Sequence, residues 1–185
     1  MTLDFDHIIA DNQLHARFLN TLSYLENCGA RKIAAFEHPL LVKKEILKHA
    51  AEEFRHAHHF KKQITRLDLP APDDYQNLLG SYFTIHYLDH LEACICRILK
   101  EPKKEAYFYV TYAIEKRAEA LYPIYEQFLR KHKSRVTVRS IILEEEGHLS
   151  EIEMHLKSPL LKSQSLLIEE KLYKKLLIDL ILIKA

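Results

Sequence analysis

Two segments of the chain carry a glutamate followed three residues later by a histidine: Glu53 with His56 in EEFRHAHHF, and Glu145 with His148 in EEEGHLS. On a helix, positions i and i+3 lie about 60° apart around the axis and about 4.5 Å apart along it, so both side chains reach one point beside the helix. A carboxylate and an imidazole meeting there are ligands for a divalent transition metal. With 18 Glu and 12 His in 185 residues, chance alone supplies about one such pair, so placement carries the argument. Glu53 and His56 fall inside the apolar stripe Ile46, Ala50, Ala57, Phe60, and Glu145 and His148 inside Ile141, Ile142, Leu149, Ile152. Both pairs are therefore predicted to point inward.

A buried, unpaired carboxylate costs several kcal/mol, so compensating positive charge is required in the core. The basic residues of this chain mostly sit elsewhere. Helical bundles meet the requirement with two divalent metals, held by one Glu from each of two helices and a Glu-x-x-His from each of two others. Glu26, 27 residues before Glu53 and close to the stripe of Leu19, Leu22 and Ile33, is the third carboxylate. The fourth is Glu115 or Glu119, one turn apart in YAIEKRAEALYPIYEQF and respectively 30 and 26 residues before Glu145. Glu115 has the more usual hairpin spacing and lies nearer the apolar side; Glu119 mirrors the first hairpin more closely. Pro123 cannot donate to the carbonyl of Glu119, so a kink or bulge is expected in this helix.

Composition says what must position these groups. Only 3 Gly and 6 Pro leave too few turn formers for a many-stranded sandwich or barrel, while 48% apolar residues suffice for one sizeable core. An all-α chain of 185 residues in a single domain is expected. The periodicity divides it into six helices, at about Asp11 to Phe36, Pro39 to Asp68, Asp74 to Lys100, Lys104 to Lys131, Val136 to Lys157 and Ser165 to Ile183. Pro102 separates the third from the fourth, and Pro159 follows the fifth. The third falls between the two half-sites, and at some 27 residues, or about 40 Å, it is long enough to serve as a crossover.

The ligand order Glu, Glu-x-x-His, Glu, Glu-x-x-His resembles that of the ferritin-like di-iron carboxylate superfamily, over about two thirds of the chain. IEKRAEALY around Glu115 is similar to the third-helix segment of its tRNA-modifying hydroxylases, and EALYPIY after Glu119 to that of aldehyde-deformylating oxygenases. The resemblance implies a four-helix bundle with a helical crossover and an extra C-terminal helix. It implies two iron ions, with manganese or a mixed pair accepted by the same ligands. On that analogy Glu53 and Glu145 bridge, His56 and His148 each hold one metal, and Glu26 with Glu115 or Glu119 is terminal. The implied activity is O2-dependent hydroxylation or oxygenation of a small-molecule or macromolecular substrate, fed by a separate electron donor. Two alternatives stay open: a rubrerythrin-like peroxidase or ferroxidase on the same ligands, and a metal-free helical interaction protein.

The remaining polar groups read more plainly. Cys28, Cys94 and Cys96 form no CxxC, which removes disulfide frameworks and four-thiolate metal sites and points to a reducing cytoplasm. Neither the start, MTLDFDHIIA, nor the apolar stretch from Leu176 to Ile183 has the make-up of a signal peptide or a membrane span. A net charge of +1 supplies no general field for nucleic acid. One local basic cluster exists, Arg130, Lys131, Lys133, Arg135 and Arg139, a solvated helix end that could meet phosphate, RNA or an acidic donor. His49, His58 and His59 are expected at the core edge or in solvent, His86, Asp89 and His90 on a polar face. Tyr107, Tyr109, Tyr112, Tyr122 and Tyr125 are expected to serve packing. The sixth helix should pack on the bundle or, in a homodimer, on a second subunit.

Overall fold

A computed structural model describes residues 3–36, 40, 43–99 and 103–182. Among them the chain is all-α: α1 (Phe5–Ala10), α2 (Asn12–Phe36), α3 (Lys44–Ile64), a 3-10 turn (Thr65–Leu67), α4 (Ser81–Leu99), α5 (Lys103–Lys131), α6 (Arg139–Glu153) and α7 (Pro159–Leu182). Pro39, expected in the first turn of the second helix, and Pro102, expected between the third and the fourth, lie outside the described residues. None of the described helices is long and apolar enough to cross a membrane. The fold divides into two compact units, an N-terminal one of Asp4–Thr84 with Phe128–Thr137, and a C-terminal one of Met1–Leu3, Ile85–Gln127 and Val138–Ala185.

In the N-terminal unit α2 lies along α3, and Phe18, Leu19, Leu22, Ala30 and Ile33 of α2 are buried together with Ala50, Ala57, Phe60 and Ile64 of α3. The buried Ser23 hydroxyl donates to the Ala57 carbonyl at 2.7 Å, a polar tie between the two helices. The short α1 was not anticipated. Asp4 caps it by accepting from the His7 N–H at 3.0 Å, and Phe5 packs its ring 5.9 Å from Phe18 and 5.5 Å from Phe128. Asp11 then caps α2, accepting from the N–H groups of Gln13 and Leu14.

The crossover helix begins at Ser81 rather than Asp74, because the backbone of residues 74–80 is committed elsewhere. The Asp74 carboxylate accepts from the Gln76 N–H in an Asx turn, and the Leu79 N–H donates to the Thr21 hydroxyl at 2.8 Å. Gly80 takes a left-handed conformation, φ 58°, that turns the chain into α4. At 19 residues α4 spans about 28 Å rather than 40.

In the C-terminal unit one apolar cluster joins Leu91 and Ile95 of α4 to Ala106, Tyr109 and Val110 of α5, with Ile168 and Leu172 of α7 against it. A second joins Tyr112 of α5 to Leu149 and Ile152 of α6, with Leu166 of α7. The C-terminal helix thus packs on its own unit. A polar lock reinforces it: Glu169 of α7 takes a two-pronged ion pair from Arg117, at 2.9 and 2.7 Å, and accepts from the Tyr87 hydroxyl. The Arg117 guanidinium also lies 3.9 Å from the centre of the Tyr173 ring.

Helix α7 begins at Pro159, six residues before the expected Ser165. Ser158 accepts from Leu161 N–H as its cap, and proline at the first helical position lacks only an N–H that would be unbonded there. Helix α5 continues through Pro123 without interruption. Tyr109, Tyr112, Tyr122 and Tyr125 are buried, as their packing role requires.

Candidate metal centre

The N-terminal unit holds one cluster of ligand atoms. Glu26 comes from α2, and Glu53 and His56 come from adjoining positions on the inner face of α3. One ligand atom of each lies within 4.8 Å of the others. His56 is 1% exposed and turns Nδ1 to the Glu26 carboxylate at 4.0 Å. The amphipathic face of α3 dictates this, since Ala50, Ala57 and Phe60 cannot be buried without drawing Glu53 and His56 in with them. Gly29 of α2 sits opposite, where an added Cβ would be 3.8 Å from Oε2 of Glu53.

The C-terminal unit holds the matching arrangement. Glu145 and His148 of α6 are buried among Ile141, Leu149 and Ile152, and Glu115 of α5, 4% exposed, faces them. His148 turns Nδ1 to Glu115 at 3.8 Å and to Glu145 at 3.4 Å. In each unit, then, the histidine of the Glu-x-x-His helix presents Nδ1 to the glutamate of the preceding ligand helix, at 4.0 Å in one and 3.8 Å in the other.

Glu119 does not join this cluster. It is exposed and paired with Lys116 at 2.6 Å, so of the two glutamates one turn apart the structure brings Glu115 to His148. His49, expected at the core edge or in solvent, is instead buried, with Nε2 3.2 Å from Oε1 of Glu53. Its signal was available: it lies four residues before Glu53 on the same stripe. The equivalent position before Glu145 is Ile141, so the two half-sites differ there. His59 serves structure, its Nε2 at 2.9 Å from the Thr137 carbonyl and 3.0 Å from Gln63. Asp89 and His90 are exposed, as a polar face requires.

The electrostatics of this arrangement favour a cation. Desolvation alone would lower the His148 pKa, but the adjacent carboxylates of Glu115 and Glu145 outweigh it and raise it to about 12. The buried glutamates and histidines supply carboxylate–imidazole donor sets that could hold a metal ion. Against this geometry the wider comparison is blank: no protein-family model, no curated protein and no solved structure matches the chain.

Proposed function

We propose that these buried carboxylate–imidazole sets hold divalent metals, and that the protein is a di-iron carboxylate oxidoreductase. One observation carries the reading: two separate Glu-x-x-His helices each bury both residues and each present the histidine Nδ1 to a glutamate of the preceding ligand helix. A single buried ion pair would explain one such arrangement. Two of them, with four glutamates in all, call for about four positive charges, which two divalent ions supply.

Glu26, Glu53, His56, Glu115, Glu145 and His148 would hold the metals. A di-iron pair supplies redox equivalents for activating O2. The chain's own contribution is to place the carboxylates, to fix which imidazole nitrogen faces them, and to bury them away from bulk water. His49, hydrogen-bonding distance from Glu53, would orient that carboxylate or add a nitrogen ligand on one side only.

Anaerobic loading with ferrous iron followed by exposure to O2 tests this reading. Stoichiometric O2 uptake, abolished in Glu53→Ala and Glu145→Ala, is expected. Rapid turnover of hydrogen peroxide without O2 uptake would favour the peroxidase alternative. Failure to bind more than trace metal would leave a metal-free helical protein.

A further inference from the structure

A second site, on different residues, occupies the end of the N-terminal unit where the α1–α2 junction, the 3-10 turn after α3 and the loop after α5 meet. A cavity of about 210 Å³ opens there, lined by Asn12, His15, Arg66, Lys133, Ser134 and Arg135 among others. It is below the roughly 300–1,000 Å³ of a drug-sized ligand site, so it suits a small ion or the end of a larger molecule.

The charges around it do not cancel. Asp6 is taken by Lys131, at 2.7 and 2.8 Å, and by His132 at 2.6 Å, and Asp68 is taken by Arg135. Arg66 donates only to a carbonyl, that of Arg135, at 2.8 Å. Neither Arg66 nor Lys133 has a carboxylate partner among the described residues. Lys133 is set in place by a left-handed backbone, φ 52°, in the tight turn that closes α5, where its N–H and that of Ser134 bond to the carbonyls of Arg130 and Leu129. The Ser134 hydroxyl accepts from Val136 N–H at 3.2 Å, which leaves its own proton to donate. Two uncompensated cations and a hydroxyl donor therefore border one concavity, with the fully buried His15 beside them.

We propose that this cavity binds a phosphate-class oxyanion, with Arg66 and Lys133 supplying the charge and Ser134 a neutral hydrogen bond. A guanidinium offers paired donors to two oxygens of a tetrahedral anion, and the lysine adds a point charge. The ligand is either free phosphate or the terminal phosphate of a monoester.

Calorimetric titration of the full-length protein with inorganic phosphate, at fixed ionic strength with chloride as the control, tests the proposal. Saturable one-to-one binding is expected, weakened about tenfold or more in the Arg66→Gln/Lys133→Gln double variant. The variant's unfolding midpoint without phosphate should match that of the wild type. Adenosine monophosphate distinguishes the sources: tighter binding than phosphate marks a monoester, weaker binding the free ion. Heats indistinguishable from chloride, or undiminished binding in the double variant, would overturn it. The Glu53→Ala variant separates this site from the metal centre, since it should bind phosphate as the wild type does. Binding lost there but kept in the double variant would put the anion on a metal and equally refute the proposal.

Discussion

Glu115 and Glu119 are four residues apart and only about 40° apart around the helix, yet one is buried against His148 and the other pairs with Lys116 in solvent. Glu115→Gln is therefore expected to weaken metal binding by at least about tenfold, and Glu119→Gln to leave it unchanged, by equilibrium ferrous titration of each. The sequence could not separate the two, because so small an angle on the wheel is decided by which neighbour the helix meets. His49 shows the reverse: its place one turn before Glu53 was legible, but a histidine on a stripe edge carries no sign of its partner until α2 and α3 are packed. His15 offers a pH test. Burial, aided by nearby His132, lowers its pKa from 6.5 to about 4. Below pH 6.5 the unfolded chain takes up a proton that the folded chain refuses. This contribution to stability is thus fully present above pH 6.5, declines as the pH falls to 4, and levels off below. The total is on the order of 3 kcal/mol. Urea unfolding of His15→Asn should show this part of the acid sensitivity removed; parallel wild-type and variant curves between pH 7 and 4 would show the attribution to be mistaken.

Among the elements, α2 carries a glycine in its interior where alanine would be favoured by about 1 kcal/mol. A Cβ at Gly29 meets only the Glu53 carboxylate, at the ordinary contact distance of 3.8 Å. Gly29→Ala should accordingly raise metal-free stability by up to about 1 kcal/mol in denaturant unfolding, and a loss of stability would mean that α2 cannot hold its path with a side chain there. Helix α7 carries a buried polar lock. Glu169→Ala strands Arg117 and Tyr87, for a loss on the order of 3 kcal/mol, and hydrogen exchange should show α7 opening first. Helix existence and order were readable from apolar periodicity, and the starts were not. Residues 74–80 look helical by composition but spend their backbone groups on Thr21 and an Asx turn. Ser158–Pro159, read as a stop, is the cap and first residue of the next helix. Glu169 was hidden inside a run of leucines and isoleucines, with nothing local to announce its partners.

For the molecule as a whole, the all-α class followed from three glycines and a 3.6-residue rhythm, and each half-site from a Glu-x-x-His on an apolar stripe. The division into two units was not legible, since the boundary at Thr84 and Ile85 falls inside α4 with no glycine or proline linker to mark it. Metal binding ties stability to the proposed centre: ferrous or manganous ion at about 100 times its Kd should add about 2.7 kcal/mol to unfolding free energy, and a chelator should remove it. The most direct test compares metal content after ferrous loading in the wild type, Glu53→Ala and Glu145→Ala. Two irons per chain in the wild type and less iron in each variant are expected. Iron content unchanged by either substitution, or no iron in the wild type, would contradict the proposed centre.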